Sequence, residues 1–162
     1  METAIILCQA GALALLAAWL SVALRDNFRH PEINAQFTRE VLSLSRIARD
    51  YPGVLTEVGK RRVEHAGIQR GVFIAIVVAE TLVTALLWLS VAAMLAAAAG
   101  ALEPAVARVL GIAGAFGFTA IWAGFVTAGN HFCYWLCHEG AQSTHFQLLL
   151  WGMATLLLIA LA

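Results

Sequence analysis

Between Asn130 and His145 the chain gathers the side chains best suited to chemistry, three histidines and two cysteines in one short polar segment. Imidazole and thiolate ligate zinc, copper or iron, and His131, Cys133, Cys137 and His138 make a Cys2His2 set within eight residues, tighter than a zinc finger. His131, His138 and His145 recur every seven residues, so an unbroken helix would hold them within about 40° of one another. Gly140 and the hydroxyl of Thr144 interrupt such a helix. A haem held by two imidazoles, for example His131 with His65, is the redox counterpart of the metal reading. The plainer reading is a polar cap in which the histidines, Tyr134 and Trp135 sit at headgroup level. Cys133 and Cys137 fit a disulfide, a metal pair or plain thiols, depending on compartment. Cys8, isolated in an apolar run, reads as a small core residue.

The second candidate is one carboxylate, Glu80, inside the apolar run 71–99. An ionisable group within a span is expensive and is by default a functional hypothesis. With a helix starting near Arg70, Glu80 would lie about ten residues in, well below the headgroups. Glu80, Thr84, Asn130, His131, Glu139 and Gln142 are the candidates for one polar pocket there. The structural alternative bonds Glu80 to Thr127 or Asn130 and only locks the helices together.

The elements that must position these groups follow from composition. Of the 162 residues 61% are hydrophobic and 12% charged, and the mean hydropathy is +0.81. A soluble domain carries about a quarter charged residues, so the solvent is a bilayer. Four apolar runs, 3–24, 71–99, 106–129 and 146–162, approach or exceed the roughly 20 residues that span about 30 Å of hydrocarbon. The first reads as a retained span, since only Glu2 precedes it where a signal peptide carries positive charge. Backbone groups in lipid must be satisfied internally, which predicts an all-α integral membrane protein: a four-helix antiparallel bundle forming one domain over 1–162. Glu103-Pro104 starts the third helix after a tight turn, and Thr144-His145-Phe146-Gln147 fits a capping box opening the fourth.

Small residues indicate how the helices approach. Gly111, Gly114 and Gly117, then Ala120, Gly124 and Ala128, make the third helix the expected hub, for packing within the bundle or against another subunit. The polar loop 25–70 holds nine of the ten Lys and Arg and six of the ten acidic residues. Within it Ile33, Phe37, Val41, Leu44 and Ala48 predict one amphipathic helix on the membrane surface, ended by Tyr51-Pro52-Gly53. Leu55 to Gln69 is expected to restart a helix running into the second span. The basic residues place this loop on the cytoplasmic side. Zero formal net charge and the lack of a basic stripe facing water give no sign of a nucleic-acid partner.

In order and distance over nearly the whole chain, the residues resemble the bacterial small integral membrane proteins called domain of unknown function 2165. The resemblance rests on Asp26-Asn27-Phe28 after the first span, Asn34 with Val41-Leu42-Ser43 in the loop, Glu80, and the segment before the last span. There the family carries Gly-Glu-Trp-Phe, Trp-Gln-Ser, Trp-Asn-Gly-Gln and Phe-Arg, and Gly129, Phe132, Trp135, Gly140, Gln142 and Phe146 follow it loosely. Asn130, His131 and Gln147 replace its acid, its first tryptophan and its closing arginine, so this chain is similar to a divergent member. The resemblance implies a multi-pass protein of the bacterial inner membrane. Basic residues at the family's N-terminus and second turn imply a periplasmic long loop. This chain lacks that pattern, so both orientations stay open.

Two functional readings follow. The first is a non-catalytic accessory subunit that stabilises a larger bacterial membrane complex, with the bilayer and other membrane subunits as partners. The second is a metal- or haem-binding redox protein that uses the histidine and cysteine segment, with a transition metal or haem as cofactor. Four helices without internal repeats or a broken-helix pair leave little room for a transporter.

Overall fold

The computed structural model describes residues 1–161 of the chain. Its helices are α1 (Glu2–Arg29), α2 (Pro31–Leu42), α3 (Ser45–Asp50), α4 (Pro52–Val58), α5 (Ala66–Ala98), α6 (Pro104–His131) and α7 (Glu139–Ala160), with short 3-10 turns at Gly59–Arg61 and Tyr134–Leu136. Four of them, α1, α5, α6 and α7, are long and apolar enough to cross a membrane. They run up and down as an antiparallel bundle in which α1 packs along α5, α5 along α6 and α6 along α7. The shared core is built from Leu13, Leu16, Leu20, Leu87, Met94 and Phe118, all fully buried.

Each span is helical beyond its apolar run, because the polar residues at its edge continue the hydrogen-bond ladder. Asp26 and Asn27 extend α1 to Arg29, and His65 caps α5, its Nδ1 accepting from the Ile68 amide at 3.4 Å. Pro104 opens α6 behind Glu103, where its missing N–H removes no bond. The turn before it uses Gly100 at φ 76°, a left-handed conformation that favours glycine. The last span differs from expectation: α7 begins at Glu139, five residues before Thr144. The Thr144 hydroxyl donates to the Gly140 carbonyl at 2.9 Å from inside the helix, so it caps nothing. Glu139 in the first turn suits the positive end of the helix dipole, which favours the earlier start. Ala162, the last residue of the fourth expected span, lies outside the described residues.

The first half of the small-residue stripe on α6 serves close packing. Gly111 faces Met94, Leu13 and Ile159; Gly114 faces Ser90 and Leu87; Gly117 faces Val83. Ala120 and Gly124 point outward instead, and nothing approaches within 4 Å of where a Gly124 side chain would stand. Ala128 borders a cavity. Cys8 is exposed on the outer face of α1, which corrects its expected place in the core. The register of α1 turns Ile6, Gln9, Ala10 and Leu13 inward and leaves Cys8 on the other side.

The polar loop folds over one end of the bundle. The single amphipathic helix expected over 33–48 is two helices, broken where Leu44 takes φ 52°. Left-handed backbone costs a non-glycine residue about 1–2 kcal/mol. It is offset here by turning Leu44 and Ile47 into a small second core with Cys133 and Cys137. The helix also rests on protein: Ala35 and Leu42 are buried, α2 packs on α1 and α5, and Ile33 is left 68% exposed. Leu55 to Gln69 is not one helix, since α4 ends at Val58 and Arg62 is extended before α5 starts.

Candidate functional site

The polar residues that α2 covers form a chain. Asn27 Nδ2 donates to Glu80 Oε2 at 2.7 Å, and Asn34 Nδ2 donates to Asn27 Oδ1 at 2.6 Å. Glu80 is buried at 4% exposure. Its partner is therefore Asn27 of α1, not Thr127 or Asn130 of α6. The Thr84 hydroxyl donates to the Glu80 backbone carbonyl at 2.7 Å and leaves the carboxylate alone. The Asn27 bond also fixes the level of Glu80 relative to α1. Glu80 stands about 20 Å along α5 from its start, level with the polar last turn of α1 that carries Arg25, Asp26 and Arg29.

Beside this chain is a cavity of about 280 Å³, walled by α1, α5, α6 and α7 and roofed by α2. Aromatic rings alternate with aliphatic side chains along its walls. Trp19 meets Trp122 edge to face at 5.2 Å, Trp122 stacks on Phe125 at 5.4 Å, and Phe125 stacks on the His145 ring at 4.7 Å. Phe37 from α2 and Phe73 from α5 add to the lining. The Trp122 indole nitrogen is buried without an acceptor. The Tyr134 hydroxyl lies 3.4 Å from His145 Nδ1, and burial pushes that hydroxyl above its ordinary value, so it is protonated at neutral pH. Tyr134 reaches this position because α6 presents Gly129 to its ring, where a Cβ would collide. Among the lining residues Glu80 is the only acid, and there is no lysine or arginine.

The remaining candidates lie apart from this cavity. Asn130 Oδ1 accepts from Gln142 Nε2 at 3.0 Å on the exposed rim. Glu139 is exposed in the first turn of α7, and His131 is exposed, edge-on to Phe132 at 5.0 Å. Of the six polar candidates, Glu80 lines the cavity; Thr84, Asn130, His131, Glu139 and Gln142 do not.

Cys133 and Cys137 are free thiols packed against Leu44 and Ile47. Burial, with a further push from Asp50, holds the Cys137 thiol above its ordinary value and so protonated. Arg61 Nη1 donates to the His131 carbonyl at 2.9 Å and to Cys133 Sγ at 3.4 Å, tying the loop to the turn after α6. His138 is buried edge-on to Phe37 at 4.9 Å with Nε2 unbonded. Burial and then the Arg46 charge depress its basicity. Among the described residues no three His, Cys, Asp or Glu side chains are grouped to hold a metal ion, so His131, Cys133, Cys137 and His138 are near in sequence without converging as ligands. His65 is engaged as the α5 cap.

Sequence reasoning passed over the aromatic walls and the Tyr134–His145 pair, and met Asn27 and Asn34 only as marks of a resemblance. The available signal was two isolated polar residues beside and within apolar runs: Asn27 just after the first run and Glu80 inside the second.

The profile of a family described as predicted small integral membrane protein matches residues 5–162. No curated protein and no solved structure matches the chain.

Proposed function

The chain belongs to that family, domain of unknown function 2165, and we propose that it is a non-catalytic membrane subunit whose working part is the cavity beneath α2, a receptacle for a small amphipathic molecule drawn from the bilayer. The observation that carries this is the cavity itself, about 280 Å³ of mainly apolar space with a few polar groups at its edge. Mostly apolar clefts with a few placed polar groups are how small ligands are held. Several of its polar groups are engaged with one another: Glu80 Oε2 with Asn27, Asn27 with Asn34, Tyr134 beside His145. That arrangement suits holding and orienting better than bond breaking. A bacterial inner membrane is the setting, in keeping with the resemblance.

A place beside a larger membrane complex is supported by the outward lane of Ala120 and Gly124 on α6, where a partner helix would approach closely. The redox reading finds no grouped ligand set to support it.

Native mass spectrometry of the chain gently extracted from its own membrane tests the proposal, with Ala128→Phe as the comparison because Ala128 borders the cavity. The expected result is a small-molecule adduct on the wild-type chain, with or without partner subunits, that Ala128→Phe loses while remaining folded. A bare wild-type chain, or an adduct equally retained by the variant, would contradict it. An added metal or haem mass would restore the redox reading.

A further inference from the structure

Resting on the reading of the cavity as a receptacle, we propose that its ligand is a lipophilic cation: an organic ammonium with an apolar body, its charged head against Glu80 and its body among the aromatic rings.

Three features of the lining agree on this charge and shape. The first is electrostatic sign. Glu80 is the only carboxylate among the lining residues, and no lysine or arginine stands there to neutralise it or to repel a positive head. Asn27 contributes one amide N–H to Oε2, and Oε1 has no hydrogen-bond partner among the described residues. A buried carboxyl with a single neutral donor is costly to ionise, and an arriving cation stabilises its charged form. An anionic head would meet that carboxylate unopposed.

The second feature is the walls. Trp19, Phe37, Phe73, Trp122 and Phe125 surround the space, and Phe132 and Tyr134 add to them. Tryptophan and phenylalanine faces attract cations through the ring quadrupole, and aromatic cages are a recurring means of holding quaternary ammonium groups. A neutral hydrocarbon would gain burial from these walls but nothing from their quadrupoles. The third feature is position. Glu80 lies level with the polar last turn of α1, so a head held there stands beside polar side chains while the aromatic rings of the lining receive its apolar part. Trp19, Trp122 and Leu148 share the lining with Glu80.

The space limits the ligand. About 280 Å³ is near the lower end of small-molecule sites, which suits one ring with a compact ammonium and excludes a whole phospholipid.

The test compares benzyltrimethylammonium with neopentylbenzene, which replaces the charged nitrogen by carbon at nearly the same shape, and with benzoate as the anion. Binding to the full chain in detergent is read by quenching of tryptophan fluorescence, with two of the five tryptophans, Trp19 and Trp122, on the cavity wall. The cation is expected to bind about tenfold tighter than its neutral isostere, and benzoate not at all. Glu80→Gln keeps an acceptor for Asn27 and should reduce the preference to about threefold or less. Phe73→Leu leaves Glu80 in place and should weaken the cation while leaving the neutral probe nearly unchanged, which keeps the test sound if Glu80→Gln folds poorly. Equal binding of cation and neutral isostere would overturn the proposal and leave the receptacle reading intact. Absence of binding by every probe would overturn both. Tighter binding of benzoate would overturn the assigned charge.

Discussion

At one end of the bundle Gly111 and Gly114 of α6 are so closely covered that an added Cβ would come within 2.9 Å of Met94 or Ser90. At the other end, one face of the same helix presents Trp122, Phe125 and Ala128 to about 280 Å³ of open space. The side chains account for the difference. Leucine, methionine and glycine interdigitate along a helix pair without voids, and in lipid that dispersion is what holds helices together. Large rigid rings meeting edge to face, as Trp19 and Trp122 do at an interplanar angle of 84°, leave gaps that nothing smaller fills. The Glu80–Asn27–Asn34 chain then resists collapse of those gaps, because moving any member leaves a partner unbonded. One end is built for cohesion and the other is held open beneath the roof of α2.

The largest effect should come from challenging the closed end. A Cβ on Gly114 would lie 2.9 Å from Ser90 Oγ and 3.5 Å from the Leu87 Cα, and a backbone neighbour cannot step aside. Gly114→Val is expected to cost about 3 kcal/mol of overpacking and to lower the thermal midpoint in detergent, while Ala128→Val at the open end changes it little. Equal losses at both ends would remove the contrast.

A smaller effect sharpens the picture of the roof. His138 packs against Phe37 of α2, and burial followed by the Arg46 charge holds its basicity below the ordinary 6.5. Arg46 opposes its protonation, while Glu40 and Glu139 favour it more weakly. The unfolded segment takes up a proton near pH 6.5 and the folded one only at lower pH. The stability supplied by the neutral ring is therefore present above about pH 6.5 and lost as pH falls through the folded value. Corrected for the intrinsic pH dependence of amide exchange, protection in α2 and α3 should fall between pH 7.5 and pH 5 in the wild type and much less in His138→Phe, with protection in the core of α6 unchanged. A pH response centred on α6 would place the sensitive group elsewhere.

The sequence carried the bundle more clearly than the site, for reasons visible in single residues. Apolar runs mark spans because no other structure satisfies the backbone in lipid, so the number and direction of the long helices were legible. Their ends were not, since Asp26, Asn27 and Glu139 are polar and still helical. The break at Leu44 depends on a distant contact with Cys133 and Cys137, which no local pattern announces. Histidine and cysteine drew attention to the segment after α6 by type alone, yet His131 faces outward and the cysteines pack against aliphatic neighbours. Glu80 was conspicuous as a lone acid in an apolar run. Its partner was hidden because the bond to Asn27 joins residues 53 apart and needs the rotation of both helices.

The contrast between the two ends is tested most directly by a crystal structure of the chain pressurised with xenon, which occupies apolar voids and leaves packed interiors empty. The account predicts xenon among Trp19, Phe73 and Trp122, with none between Gly111, Gly114 and Met94. An empty site among the three rings, with the rings closed upon one another, would contradict it.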